Sequence, residues 1–176
     1  HGCMYGVIDF YRACKAAGIK PVIGCEVYVA PRGRTRFQKV HEFDSHYNHL
    51  VLLCRNEEGY RNLSYMVSKG YLEGFYIKPR IDLDLLREHT GGLIACSACM
   101  SGEVSRLLLA GEYDKAKEVA LEMRELFGED GYYLEMQDHG IKAQKQVNAS
   151  LIRLSEETGI PLIATNDAHY LRREDA

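Results

Sequence analysis

Apolar residues recur along this chain in two periods, and each change of period marks a change of element. Residues 4–17 carry Val7, Phe10, Tyr11 and Cys14 at helical spacing, with Gly18 as a stop. The β-branched run over 19–29 predicts a strand, and residues 31–39 a loop. A second strand is expected over 47–54, followed by a helix capped by Asn56, with Tyr60, Leu63 and Val67 inward and Gly70 at its end. Residues 70–80 are aromatic and irregular. Asp82 or Asp84 caps a short helix running to His89, stopped by Gly91 and Gly92. Residues 93–97 read as a strand and 102–110 as a helix. A longer helix over 113–127 gathers Ala116, Val119, Ala120, Met123 and Phe127 on one face. A strand over 132–136, a helix over 142–158 with Val147, Leu151 and Leu154 inward, and a last strand from Ile160 complete the pattern.

Mostly alternating helices and strands argue for βαβ units and a parallel α/β sheet. Five strands are visible, and short apolar strands suit burial on both faces. An open doubly wound sheet and a closed barrel both fit. A length of 176 residues fits one domain with a sizeable core. The net charge of −3 gives no global pull toward nucleic acid, so any such contact must be local. No apolar run is long enough to span a bilayer. Six scattered cysteines among seven histidines do not make a secreted disulfide scaffold, and the expectation is a cytoplasmic protein with reduced thiols. The abrupt start at His1 and the end at 172–176, which reads as the first turn of a helix, suggest a segment of a longer protein.

The polar residues that could carry chemistry gather where strands end. Asp167 and His169 follow Leu162-Ile163-Ala164, and an extended backbone would aim both side chains the same way. Glu26 follows Val22-Ile23-Gly24-Cys25, Cys99 follows the strand at 93–97, and His139 follows Leu134-Glu135-Met136. His1 stands before the first helix, where a strand would end. His49 is out of line, because it precedes the apolar residues of its strand. Singly, each has a plain explanation: a strand-end carboxylate paired with a cation, a core histidine, a loop aspartate. Together, Glu, His, Cys, Asp and His point to a metal centre. Cys96 and Cys99 form a C-x-x-C with no second half. Cys99 as a single ligand, with Cys96 packed as a small hydrophobe, fits better than paired thiols. Arg32, Arg34, Arg36 and Lys39, flanked by Tyr28 and Phe37, form the one basic cluster. It could touch phosphates, or it could be a solvated loop.

These residues resemble a known family. His1-Gly2 with Met4-Tyr5-Gly6, Gly18 through Gly24-Cys25-Glu26-Val27-Tyr28, Asn48-His49-Leu50, Asn56-Glu57-Glu58-Gly59-Tyr60, Gly74-Phe75-Tyr76-Ile77-Lys78-Pro79-Arg80, Gln137-Asp138-His139-Gly140 and Thr165-Asn166-Asp167-Ala168-His169-Tyr170 are similar to the PHP (polymerase and histidinol phosphatase) domain. The nearest likeness is the version at the N-terminus of bacterial replicative DNA polymerase III alpha subunits. The resemblance covers essentially the whole chain. It implies a distorted (β/α)7 TIM-like barrel with a metal cluster at the strand C-termini. His1, Glu26, His49, Cys99, Asp167 and His169 match the family's ligands, with Glu26 and Asp167 central to catalysis. His139 lies at the rim and is not a usual ligand. Up to three divalent ions are implied, zinc above all, with manganese as the alternative. Members with an intact site hydrolyse phosphoesters, including 3′→5′ exonuclease proofreading. In others the site is silent, and the domain is a structural module for docking a separate proofreading subunit. A stand-alone phosphatase is the remaining alternative. The family's opening His-x-His strand has no counterpart in residues 1–176. The resemblance therefore implies a PHP segment of a larger polymerase subunit, truncated at both ends, whose partners are DNA and the other subunits of the polymerase III holoenzyme.

Overall fold

The computed structural model describes residues 1–175. Its elements in chain order are α1 (Val7–Ala16), β1 (Gly24–Val29), α2 (His41–Asp44), β2 (Asn48–Cys54), α3 (Glu57–Leu72), β3 (Phe75–Tyr76), β4 (Lys78–Ile81), α4 (Leu83–Glu88), β5 (Leu93–Cys96), α5 (Glu103–Leu109), α6 (Tyr113–Phe127), β6 (Tyr132–Met136), α7 (Lys142–Thr158) and β7 (Leu162–Ala164). A 3-10 turn at Arg173–Asp175 stands where a helix start was expected, and Ala176 lies outside the described residues. Asn56 caps α3 by accepting from the Gly59 N–H, and Asp82 caps α4 by accepting from the Leu85 N–H. Gly70 does not end α3. It is buried inside the helix, facing the backbone of Pro79 and Arg80.

The strands form one mixed sheet in the order β3-β4-β1-β2-β5-β6-β7. The parallel sheet expected from the alternation is only half present. β1/β4, β5/β6 and β6/β7 are parallel, whereas β1/β2, β2/β5 and β3/β4 are antiparallel. The reason lies between β1 and β2. That connection holds only the four-residue α2, and a parallel return would need a full crossover. So β2 runs against its neighbours. β3 and β4, unforeseen in the sequence, form a hairpin turned by Ile77, whose φ is 64°. The end strands β3 and β7 do not pair, so the sheet is open among the described residues.

The core is continuous. Val27, Val29, Leu50, Leu52 and Ala95 meet Leu63 and Met66 of α3, Ala116, Ala120 and Met123 of α6, and Leu151 and Leu154 of α7. Two expectations of burial fail. β7 is largely exposed, as a short edge strand with one neighbour. The stripe on α1 is not buried either. Met4, Tyr5, Val7 and Ile8 instead face Tyr60, Val67 and Tyr71 across an open groove of about 560 Å³.

Candidate metal centre

The reversed direction of β2 resolves the odd position of His49. Its first residues lie beside the last residues of β1, with Tyr28 opposite His49 and Glu26 opposite Val51. Glu26 and His49 are thus diagonal neighbours on one face of the sheet. β5 runs antiparallel on the other side of β2, with Cys96 opposite Val51, so the turn after β5 reaches His49. That turn is tight. Ala98 has a φ of 63°, the Gly102 N–H donates to the Cys99 carbonyl at 2.9 Å, and the His49 N–H donates to the Ser101 carbonyl at 3.1 Å. A Cβ on Gly102 would stand 2.0 Å from the Ser97 carbonyl oxygen, so only glycine closes it.

One ligand atom each from Glu26, His49 and Cys99 lies within 4.8 Å of the other two. Cys99 Sγ is 3.5 Å from His49 Nδ1, and Glu26 Oε1 is 3.3 Å from the same nitrogen and 3.5 Å from His1 Nδ1. Despite these neighbours, Glu26 Oε1 is buried without a hydrogen bond of acceptable geometry. An unsatisfied buried carboxylate oxygen is costly unless something else occupies its lone pairs. The donor set of oxygen, nitrogen and sulfur fits a divalent ion with one position left open. Tyr28 and Tyr47 wall the imidazole of His49, the second in a parallel stack at 5.9 Å.

The charges agree with this arrangement. Burial alone would lower the His49 imidazole, but Cys99 and Glu26 override it and push its pKa up to about 9. Burial alone would raise the Glu26 carboxyl, but His49 and other nearby positive charge bring it below its ordinary value. Burial pushes the Cys96 thiol up to about 12, which keeps it protonated and inert, in line with a small packed side chain. All six cysteines are free.

The other residues singled out in the sequence fall on the open side. The Gly2 N–H donates to the Glu26 carbonyl at 2.8 Å and holds His1 beside Glu26. The His1 and His169 rings sit 5.1 Å apart. His169 Nδ1 donates to the Asp167 carbonyl at 2.8 Å, which leaves Nε2 with its lone pair free. His49 and Glu26 side chains are 18% and 17% exposed, His1 and His169 66% and 48%, so the cluster has a buried floor and an open mouth. Asp167 follows the strand as expected, but its backbone is not the extended one foreseen. β7 stops at Ala164, and Asp167 adopts a φ of 44°. Its Oδ1 lies 3.8 Å from His169 Nδ1.

The basic cluster is not a free patch. Arg32 binds Glu103 at 2.7 Å and Glu122 at 2.5 Å, Arg34 binds Asp44 through two hydrogen bonds, and Arg36 binds Asp82 and Glu73. These arginines brace the loop after β1, and their charge is already matched. Only Lys39 of the four makes no ion pair among the described residues, and it is exposed.

Sequence reading missed Glu135. It is buried on β6, accepts from Gln137 Nε2 at 2.9 Å and from the Thr165 hydroxyl, and leaves Oε2 without a partner. A charged residue at a core position of an apolar strand was the available signal.

A family model described as the PHP domain matches residues 1–139. The chain is 48% identical over its whole length to the DNA polymerase III subunit alpha of Treponema pallidum and to that of Borreliella burgdorferi, and 43% identical to that of Thermus aquaticus. It spans about 15% of the length of the first two of these relatives and 14% of the third. With the match covering most of its residues and the ligand-type side chains gathered at one end of its sheet, the chain belongs to the PHP domain family.

Proposed function

We propose that residues 1–176 are the PHP segment of a DNA polymerase III alpha subunit, and that the segment contributes a metal-dependent phosphoesterase site of the 3′→5′ exonuclease kind. The observation that carries the reading is the convergence of Glu26, His49 and Cys99 around a buried, unpartnered carboxylate oxygen. In this reading Glu26, His49 and Cys99 hold one ion, and a cysteine in the set favours zinc over manganese. Asp167, His1 and His169 belong to the open side and complete up to two further sites, with Glu26 shared. The open sheet is part of a distorted (β/α)7 barrel, whose His-x-His strand lies outside residues 1–176.

Bound ions would supply an activated water and neutralise charge on the phosphoryl oxygens. The chain's own side chains do the rest. Glu26 and Asp167 provide the carboxylates that fix the spacing of the two sides. Tyr28 and Tyr47 keep the His49 ring in one orientation and exclude water from the floor. In this reading a phosphodiester would approach from the exposed edge formed by His1 and His169. The wider partners, DNA and the other holoenzyme subunits, come with the larger protein.

The test is Asp167→Asn in the full-length protein, read by elemental analysis and an exonuclease assay. A neutral amide is a poor ligand for a hard cation, so metal content and nuclease activity should fall while polymerase activity suffers less. Unchanged metal content together with unchanged nuclease activity would remove Asp167 from the site. A wild-type protein that binds ions but cleaves nothing would leave a structural, docking role.

A further inference from the structure

We propose that His139, oriented by Gln144, is a positioning residue for the Asp167 side of the metal centre, acting through the Asn166 carbonyl. This rests on the metal-centre reading above. It adds a residue that offers no atom to an ion.

The turn after β6 is held from α7. Gln144 and Asn148, one helical turn apart, both reach it. The Asn148 amide donates to the Gln137 carbonyl at 2.9 Å. Gln144, only 5% exposed, accepts the His139 N–H at its Oε1, at 2.8 Å. Its Nε2 is therefore the amide nitrogen, and it donates to His139 Nδ1, also at 2.8 Å. An imidazole that accepts at Nδ1 carries its proton on Nε2. His139 Nε2 lies 2.8 Å from the Asn166 carbonyl oxygen, which can only accept. The three contacts define one tautomer and one direction: buried amide to imidazole to loop carbonyl.

That carbonyl belongs to the residue before Asp167. The residue before it, Thr165, is also fixed, by its N–H to the Met136 carbonyl at 3.0 Å and by its hydroxyl to the buried Glu135. The two residues leading into Asp167 are thus tied to β6 and to the turn after it. Asp167 then takes a left-handed backbone, φ 44°. A non-glycine residue held there is strained and persists only where its surroundings impose it. If the Asn166 anchor is released, Asp167 can relax toward an extended backbone. Its carboxylate then turns, and so does the Asp167 carbonyl that orients His169. No hydrogen bond in this chain of contacts reaches Glu26, His49 or Cys99. The effect should therefore be confined to one half of the centre.

The experiment titrates the full-length protein with Co²⁺, which stands in for zinc, and with Zn²⁺. The thiolate-to-cobalt absorption reports the Cys99 half, and total stoichiometry reports the remainder. His139→Ala should keep the thiolate band and its midpoint while the remaining uptake weakens about 10- to 100-fold, the usual effect of losing an outer hydrogen bond. His139→Gln places an amide N–H near the former Nε2 and should recover most of the loss. His139→Asn reaches only as far as Nδ1, cannot meet the Asn166 carbonyl, and should behave like alanine. Equal uptake by wild type and both short variants overturns the inference alone. So does a parallel loss of both halves that tracks a fall in unfolding midpoint. If alanine fails to fold, glutamine and asparagine still decide, since matching behaviour of those two removes the Asn166 bond from the account. A wild-type chain that takes up no cobalt overturns the metal-centre reading, and this inference with it.

Discussion

Arg80 is 0% exposed and carries a charge into the base of the loop after β1. Replacing it with methionine tests how that loop is held. Its guanidinium donates to the carbonyls of Gln38 at 2.7 Å, Asp44 at 3.0 Å, Gly74 at 3.3 Å and Arg36 at 3.4 Å, and stands 3.7 Å from the fully buried Asp44 carboxylate. Removing one member of a buried ion pair costs about 3–5 kcal/mol. Asp44 keeps its two hydrogen bonds from Arg34, which moderates the charge penalty. Against that, the two short carbonyl bonds are charge-assisted and contribute about 1.5–3 kcal/mol each. The apolar methionine returns part of this by filling the space. A net loss of about 3–5 kcal/mol is expected in urea unfolding of the full chain, as a shifted midpoint with an unchanged slope. The loosened loop ends at Tyr47, which packs on Tyr28 at 4.8 Å, so protease nicking should rise between residues 31 and 47. A loss under about 1 kcal/mol would mean that water already serves these carbonyls and that Arg80 is not their hub.

Gly59→Ala should destabilise by several times RT or rearrange the start of α3, because its Cβ would stand 1.9 Å from the Gly92 carbonyl oxygen. Urea unfolding reads it, and a neutral result would mean that the two backbones are not in contact. Asn56→Ala should lose about 1 kcal/mol through the missing cap on α3, and Asn56→Gly only a few tenths. Equal losses from the two would point to a role other than capping. Acid should weaken the loop. The hydrogen bonds from Arg34, first among several favourable contacts, outweigh burial and hold the Asp44 carboxyl at about 2, below the ordinary 3.8. A depressed carboxylate stabilises fully above its unfolded value, and the contribution fades as pH falls from about 4 through about 2. Arg34→Gln should flatten the wild-type slope in that window, and an unchanged slope would place the acid sensitivity elsewhere.

Much of this fold could be read from periodicity. The bounds of α6, β6 and α7 coincide with the expected ones because each has a clean apolar face and a breaking glycine nearby. β3 and β4 escaped notice because Pro79 and the aromatics around it carry no two-residue alternation. The direction of β2 could not be seen either, since alternation says where a strand is and not which way it runs. Glu26, His49 and Cys99 were each marked by a polar side chain beside an apolar run, and the sheet brings them together. The arginines after β1 misled because most of their carboxylate partners are distant in sequence, as with Arg32 and Glu122. The support from Gln144 was invisible, because a glutamine near the start of a helix has many uses and only geometry selects one.

The antiparallel course of β2 also bears on the order in which the centre comes together. Glu26 and His49 sit on strands consecutive in the chain, β1 and β2, whereas β5, which pairs with β2 and leads to Cys99, follows only after α3, β3, β4 and α4. Closing the β1–β2 connection costs less entropy than closing the longer loop that brings β5 beside β2. His1 and His169, in contrast, are far apart in sequence and meet only once β6 and β7 have docked. The Glu26–His49 pair thus needs a single connection closed, whereas the mouth of the site needs nearly all of residues 1–169 in place. An ion captured by the floor during folding would stabilise a half-built sheet at the stage when its edges are most exposed to mispairing.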